Sequence, residues 1–306
     1  MHCTLCPRRC GADRAAGETG RCGTAGEILV ARAAPHFGEE PCISGSRGSG
    51  AVFFCGCALG CVFCQNREIS RGGRGRAMTP EALCRALERL RDTGVHNLEL
   101  VTAGHYLPVL AREVLTPGLG LPLVWNSGGY EAVEALRLLE GKVDVYMPDL
   151  KTLSPALAER WCAAPDYPAV AKVALSEMYR QVGPPVFDQD GLLVRGLLIR
   201  HLVMPGAVED TLDVLDYLEE HFGGGRAVVS LMGQYTPMPG CEGFPELQRP
   251  LTQREYDRAA AYLACRNLPL GYTQDISSAT TAEIPDFDGT GLGLGGENPE
   301  PREERP

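Results

Sequence analysis

Three thiols on one short loop are the strongest chemical signal in the chain. Phe53-Phe54-Cys55-Gly56-Cys57-Ala58-Leu59-Gly60-Cys61-Val62-Phe63-Cys64-Gln65-Asn66 places Cys57, Cys61 and Cys64 in a C-x3-C-x2-C arrangement. Three thiolates so close in sequence ligate three irons of a cubane and leave the fourth without a protein ligand. An open coordination position is what separates a reactive metal centre from a structural one. Gly60 lets the backbone fold closely around such a group, and Phe63 shields it from water. The competing reading is a closed centre, a structural zinc or a saturated redox cluster. There Cys55, two residues before the motif and on the same face as Cys57 if strand alternation persisted through Gly56, would be the fourth ligand. We read Cys55 as a spectator.

A second group of thiols lies upstream. Of 13 cysteines, nine fall between Cys3 and Cys64, a distribution that points to metal, since a disulfide framework would spread them and an odd number cannot all pair. Cys3, Cys6, Cys10 and Cys22 supply four thiols within reach of one centre. Zinc in a closed tetrahedron, a second iron-sulfur cluster and partly free thiols all remain open. Cys84, Cys162 and Cys265 sit among apolar neighbours in helix-like stretches and read as core.

These residues need a scaffold. From residue 51 onward, short apolar runs at 51–54, 97–102, 122–126, 143–148, 196–204 and 227–231 alternate with helix-period segments, the signature of βα units and a parallel sheet. Thr79-Pro80 and Ser154-Pro155 are helix entry signals, with Leu83, Leu87 and Leu90 on one face after the first. Leu212, Leu215, Leu218 and Phe222 form another stripe, and Thr252 to Glu255 reads as a capping box. Six strand-helix repeats close most simply as a partial (βα)6 barrel. Sites in such sheets lie at the carboxyl ends of the strands, so the residues just after each strand matter most.

The loop and its position resemble the radical S-adenosylmethionine (radical SAM) superfamily, whose three-cysteine loop follows the first strand of a partial barrel. More narrowly, Cys3-Thr4-Leu5-Cys6-Pro7-Arg8-Arg9-Cys10-Gly11-Ala12-Asp13-Arg14 and Cys64-Gln65-Asn66 are similar to a branch related to pyruvate formate-lyase activating enzyme, over roughly residues 3–275. The resemblance implies a [4Fe-4S] cluster on Cys57, Cys61 and Cys64, with S-adenosylmethionine chelated at the unique iron. It also implies reduction by a partner such as flavodoxin or ferredoxin, cleavage to a 5′-deoxyadenosyl radical, and hydrogen abstraction from a substrate. It assigns that chemistry but no product. By strand order it nominates Thr102 and His105, where the family's usual glutamate is missing, then Asn126 and Ser127, then Asp149 and Lys151, which match the Asp-Leu-Lys of activating enzymes. Arg200 or His201 at the fifth strand and Gln234 after the sixth complete the cofactor set. Three functions follow as alternatives: a glycyl radical activase, a radical enzyme acting on a small molecule or peptide with His105, Tyr106 and His201 lining a narrow pocket, and an electron-transfer iron-sulfur protein.

Bulk properties narrow the setting. The chain has 306 residues, 44% of them hydrophobic, and a net charge of −10, which opposes nonspecific nucleic-acid binding. No apolar run approaches the ~20 residues of a membrane span, and the opening residues lack a secretory pattern. We expect a cytoplasmic protein without a membrane or nucleic-acid partner. Its expected segments are a Cys-rich metal-binding piece at 1–45, the partial barrel at 46–283, and a disordered tail at 284–306 rich in Gly, Pro and Glu.

Overall fold

The computed structural model describes residues 2–71, 74–115, 119–274, 276–279 and 284–293. The strands are β1 (Ile28–His36), β2 (Ser49–Phe54), β3 (Arg76–Met78), β4 (Asn97–Val101), β5 (Leu123–Ser127), β6 (Val145–Pro148), β7 (Val186–Phe187), β8 (Leu193–Leu202), β9 (Val228–Met232) and β10 (Gly271–Thr273). Every residue of β2, β4, β5, β6 and β9 is buried, as expected for strands covered on both faces. Register follows from that apolar content: Val52 lies beside Leu100, Leu100 beside Trp125, Trp125 beside Tyr146, and Tyr146 beside Leu197. The sheet order is β10-β9-β8-β6-β5-β4-β2-β1-β3. All six expected strands are therefore present, parallel and in chain order, in an open α/β sheet that is mostly parallel.

Helices return the chain between strands. They are α1 (Pro80–Asp92), α2 (Pro155–Cys162), α3 (Tyr167–Val182), α4 (Val208–Phe222) and α5 (Gln253–Ala264), besides shorter turns. The entry signals act as expected. Thr79 accepts from the Ala82 amide, Ser154 accepts from the Leu157 amide, and the Thr252–Glu255 capping box is complete. Leu83, Leu87 and Leu90 of α1, and Leu215, Leu218 and Phe222 of α4, are buried in the main core. Among the described residues no helix is long and apolar enough to cross a membrane.

Two boundaries differ from the sequence reading. β1, inside the stretch expected to be a Cys-rich appendage, pairs antiparallel with β2 and so belongs to the sheet. Its alanines obscured it: Ala31 and Ala33 are buried positions with little strand signal of their own. The tail also departs from expectation. β3 pairs only with residues 28–30 of β1, and the exposed backbone beyond is taken by the tail. Gly289 donates to the Ala31 carbonyl and the Ala33 amide donates to the Thr290 carbonyl, both at 3.0 Å. Phe287 packs on Phe53 with ring centres 5.6 Å apart, and Leu292 is buried. Residues 284–293 are thus docked rather than disordered, because an edge strand offers unpaired backbone groups that a following segment can satisfy. Residues 294–306 lie outside the described residues.

Candidate active site

The cluster loop leaves β2 at Phe54 and turns at Gly56, whose φ of +90° suits glycine. A side chain there would collide with the Cys22 carbonyl at 2.7 Å. This turn breaks strand alternation and separates Cys55 from Cys57. Cys55 packs with Ala31, Phe53, Ile69 and Val101, and burial pushes its thiol up to about 11. Cys57, Cys61 and Cys64 instead line one cavity, of about 230 Å³. Burial pushes Cys57 up to about 12, with the charges of Cys61 and Cys64 adding to it. Cys61 is held down to about 7, first by the neighbouring Cys162 thiol at the end of α2, against burial, and then by Lys151. Cys162 is therefore a neighbour of the cluster loop as well as a core residue, a role its apolar setting in the sequence concealed. The donor set fits a cubane: three thiols face one space, and Cys55 is turned away. Among the described residues no three His, Cys, Asp or Glu side chains converge closely enough to hold a single metal ion.

The wall facing the cysteines is polar and built from strand ends. Thr102, Asn126, Ser127, Asp149, Lys151, Arg200 and Gln234 all line the cavity. Lys151 Nζ donates to Asp149 Oδ2 at 2.7 Å, and Arg200 Nε donates to Asp149 Oδ1 at 3.0 Å. Burial alone would raise Asp149, but Lys151 and Arg200 outweigh it and hold the carboxyl below its usual value. Burial would likewise lower Lys151, but Asp149 and then Cys61 hold its ammonium well above the ordinary range. Arg200 also donates to Glu39 at 2.8 Å and to Asn126 Oδ1 at 2.7 Å. Ser127 is turned partly away, donating to Glu131 at 2.9 Å. Gln234 Oε1 accepts from Gln274 at 3.4 Å.

Thr102 sits at φ +60°, a left-handed conformation that a β-branched residue rarely adopts, fixed by its amide donating to the Asn126 carbonyl at 2.8 Å.

Three expected pocket residues have other tasks. His105 Nε2 donates to the Cys55 carbonyl at 2.7 Å, which fixes its tautomer, and the Tyr106 hydroxyl reaches the same carbonyl at 3.2 Å. Neither lines the cavity; they clamp the start of the cluster loop. His201 is turned outward by strand alternation from Arg200. Its Nδ1 donates to the Leu150 carbonyl at 2.6 Å and its Nε2 accepts from Thr211 at 3.0 Å. Of the Arg200/His201 pair, Arg200 is thus the residue in the cavity.

Sequence reasoning missed several contributors. The Tyr167 hydroxyl, at the start of α3, donates to the Asp149 carbonyl at 2.8 Å and the Gly128 carbonyl at 3.0 Å, and accepts from the Lys151 amide at 2.9 Å. It ties two strand ends together, and no local pattern could have announced it. Glu39 and Glu40 line the cavity, and Glu99, fully buried beneath it, accepts from Asn126 at 2.6 Å and from Ser49 at 2.9 Å.

The amino-terminal thiols also come together. A side chain at Gly20 would lie 3.4 Å from the sulfurs of both Cys10 and Cys22. Cys6 is raised by burial, with Cys22, Cys3 and Cys10 adding to it. Cys10 is lowered, chiefly by the Ala12 and Arg21 amides. This segment is docked on the cluster loop: the Cys57 amide donates to the Cys22 carbonyl at 3.0 Å, and Arg8 donates to the Ala58 carbonyl at 2.9 Å.

Comparison with known proteins agrees with this geometry. The radical SAM superfamily model matches residues 51–233, more than half of the chain and the span from β2 to β9. The chain belongs to that superfamily, whose members are enzymes that catalyse radical reactions. It is 30% identical over 284 residues to the uncharacterized protein MJ0674 of Methanocaldococcus jannaschii, covering 89% of this chain and 77% of that protein. Among solved structures, Streptococcus suis SuiB bound to S-adenosylmethionine aligns at 14% identity and TM-score 0.47, over 72% of this chain. The chain spans about half of SuiB, 48% of its length. A domain of pyruvate-formate lyase-activating enzyme from Bacteroides vulgatus aligns at 14% identity and TM-score 0.34, over 64% of this chain and 91% of that domain. That likeness is too distant to carry the activating-enzyme kinship.

Proposed function

We propose that this chain binds S-adenosylmethionine against a [4Fe-4S] cluster held by Cys57, Cys61 and Cys64, and takes a hydrogen atom from a substrate in the same cavity. When bound, the cluster supplies one electron to the sulfonium and an open iron to chelate the methionyl group. The protein's own work is positioning. Lys151, held charged by Asp149, faces the methionyl carboxylate. Asp149 and Asn126 offer acceptors to the amine or ribose, and Gln234 offers an amide edge to the adenine. Thr102 takes the place of the glutamate usual in the family after β4, so the amino contact there falls to a hydroxyl or a backbone carbonyl.

The observation that carries this reading is the separation of Cys55 from the other three thiols, which leaves a three-thiol set open to the cavity. Ile284 and Pro285 of the docked tail stand at the edge of the cavity, and a glycyl radical partner, a peptide and a small molecule all stay open as the substrate. We extend the proposal to Cys3, Cys6, Cys10 and Cys22 as a second centre. A centre seated beside Cys57 suits an electron relay, which favours an iron-sulfur cluster over zinc.

The test is anaerobic. Reconstituted protein with dithionite and S-adenosylmethionine releases 5′-deoxyadenosine, and Cys61→Ser lowers that release at least about 100-fold. Wild type that carries an intact cluster and releases none overturns the radical reading.

A further inference from the structure

Between β1 and β2 the chain dips beneath the barrel. Residues 41–44 form one helical turn whose Cys42 and Ile43 pack against Val124, Val145, Leu198 and Val228. Asn97 fastens the turn by donating to the Ile43 carbonyl at 2.8 Å. This plug closes the floor of the cavity and presents Glu39 and Glu40 to it. Their depth differs from that of the cofactor-facing residues. Glu40 adjoins Ser230, which pairs with Arg200 in the middle of β9, whereas Thr102, Lys151 and Gln234 follow their strands.

The carboxyls at this floor outnumber the cations bonded to them. Four buried or half-buried carboxyls, Glu39, Glu40, Glu99 and Asp149, face two cations, Arg200 and Lys151, with His36 3.9 Å from Glu39 at the rim. Lys151 is committed to Asp149, and Arg200 divides its donors among Asp149, Glu39 and Asn126. Glu99 is sealed and receives only the neutral donors of Asn126 and Ser49, so a proton settles its charge. Glu40 differs. It is 7% exposed, and neither its Oε2 nor the Ser230 hydroxyl beside it finds a partner elsewhere in the protein, each having only the other within reach. Burial raises Glu40 and Arg200 only partly opposes it, so with no ligand a proton settles its charge too; unlike Glu99, it borders a cavity where a cationic ligand can reach it and displace that proton.

We infer that the substrate carries a cationic nitrogen, an ammonium or guanidinium, that docks on Glu40 with Glu39 and the Ser230 hydroxyl as further acceptors. The inference rests on the reading that this cavity holds the substrate beneath the cofactor. The ion pair fixes the substrate at the floor and directs the rest of it upward, toward the end of the cavity where the cysteines lie.

The experiment measures binding separately from turnover. Cluster-reconstituted protein loaded with S-adenosylmethionine is melted with n-butylammonium and n-butylguanidinium, and with n-butanol and butyrate as uncharged and anionic counterparts. The cations raise the melting temperature in a saturable way, the counterparts do not, and E40Q binds the cations at least about tenfold more weakly. Should E40Q fail to fold, Ser230→Ala replaces it, with about threefold weaker binding expected. Cations that do not stabilise the wild type, or equal affinity in the folded variant, overturn the inference. So does a cation effect that S-adenosylmethionine abolishes, since Glu40 would then serve the cofactor's own ammonium. A failure of the radical reading shows elsewhere, as absent 5′-deoxyadenosine with cation binding intact.

Discussion

At the scale of single residues, the site is organised by which side chains are committed and which are free. Asp149 is bound on both oxygens, by Lys151 and Arg200, so it serves as much to hold those cations in place as to meet a ligand. Cys162 lies beside Cys61, and its thiol favours the thiolate of that residue. Hydrogen bonds to cluster sulfurs stabilise the reduced state. Cys162→Ala therefore keeps its iron content at the catalytic loop and lowers the cluster's reduction potential by up to about 40 mV, the one-electron equivalent of a bond of about 1 kcal/mol. A redox titration followed by electron paramagnetic resonance measures this. Loss of cluster iron in that variant would instead make Cys162 a fourth ligand and close the open site.

At the scale of elements, the amino-terminal segment has little to hold it except its thiols and its dock. It contains one three-residue 3-10 turn, Arg14–Ala16, and β1 starts only at Ile28. Its contacts run to the cluster loop and to the His105 carbonyl, which accepts from Arg14 at 2.6 Å. A bound centre there contributes folding energy directly. If it is an iron-sulfur cluster, metal analysis finds about eight irons per chain in reconstituted wild type and about four in the double variant C6A/C10A. Zinc in place of the second four would assign the closed structural site instead. Either loss lowers the melting temperature, because the dock orders the loop that carries Cys57.

At the scale of the whole molecule, stability depends on pH through groups buried in one protonation state. Burial lowers His105 to about 4 from an ordinary value near 6.5, and the Cys55 carbonyl only partly offsets it. Between those values the unfolded chain binds a proton there that the folded chain does not, so stability is full above about pH 6.5 and falls as pH drops toward 4. The loss is at most roughly 3 kcal/mol. The buried carboxyls Glu40, Glu99 and Glu131, raised chiefly by desolvation, tilt the curve the opposite way. Comparing wild type with His105→Gln in denaturant at pH 7.5 and pH 5 isolates the histidine: the variant shows a smaller loss between the two. An equal loss in both proteins would place the titration elsewhere.

The sequence by itself determined the three-cysteine loop, the six parallel strands and the helix starts. Each rests on local chemistry: thiol spacing, apolar runs, and hydroxyl caps whose partners lie a few residues away. The second cysteine group was legible for the same reason. Tertiary structure alone decided which residues at the strand ends reach the cavity. A two-residue alternation put Arg200 inside and His201 outside, and one positive-φ glycine sent Cys55 into the core. Glu39 and Glu40 were invisible as site residues because they enter the barrel only once the plug folds beneath strands that are distant in sequence. Tyr167 and Cys162 likewise acquire their partners across 16 or more residues and about 100 residues respectively. Such contacts depend on how the sheet twists and which helix lies over it, and no window of sequence contains that information.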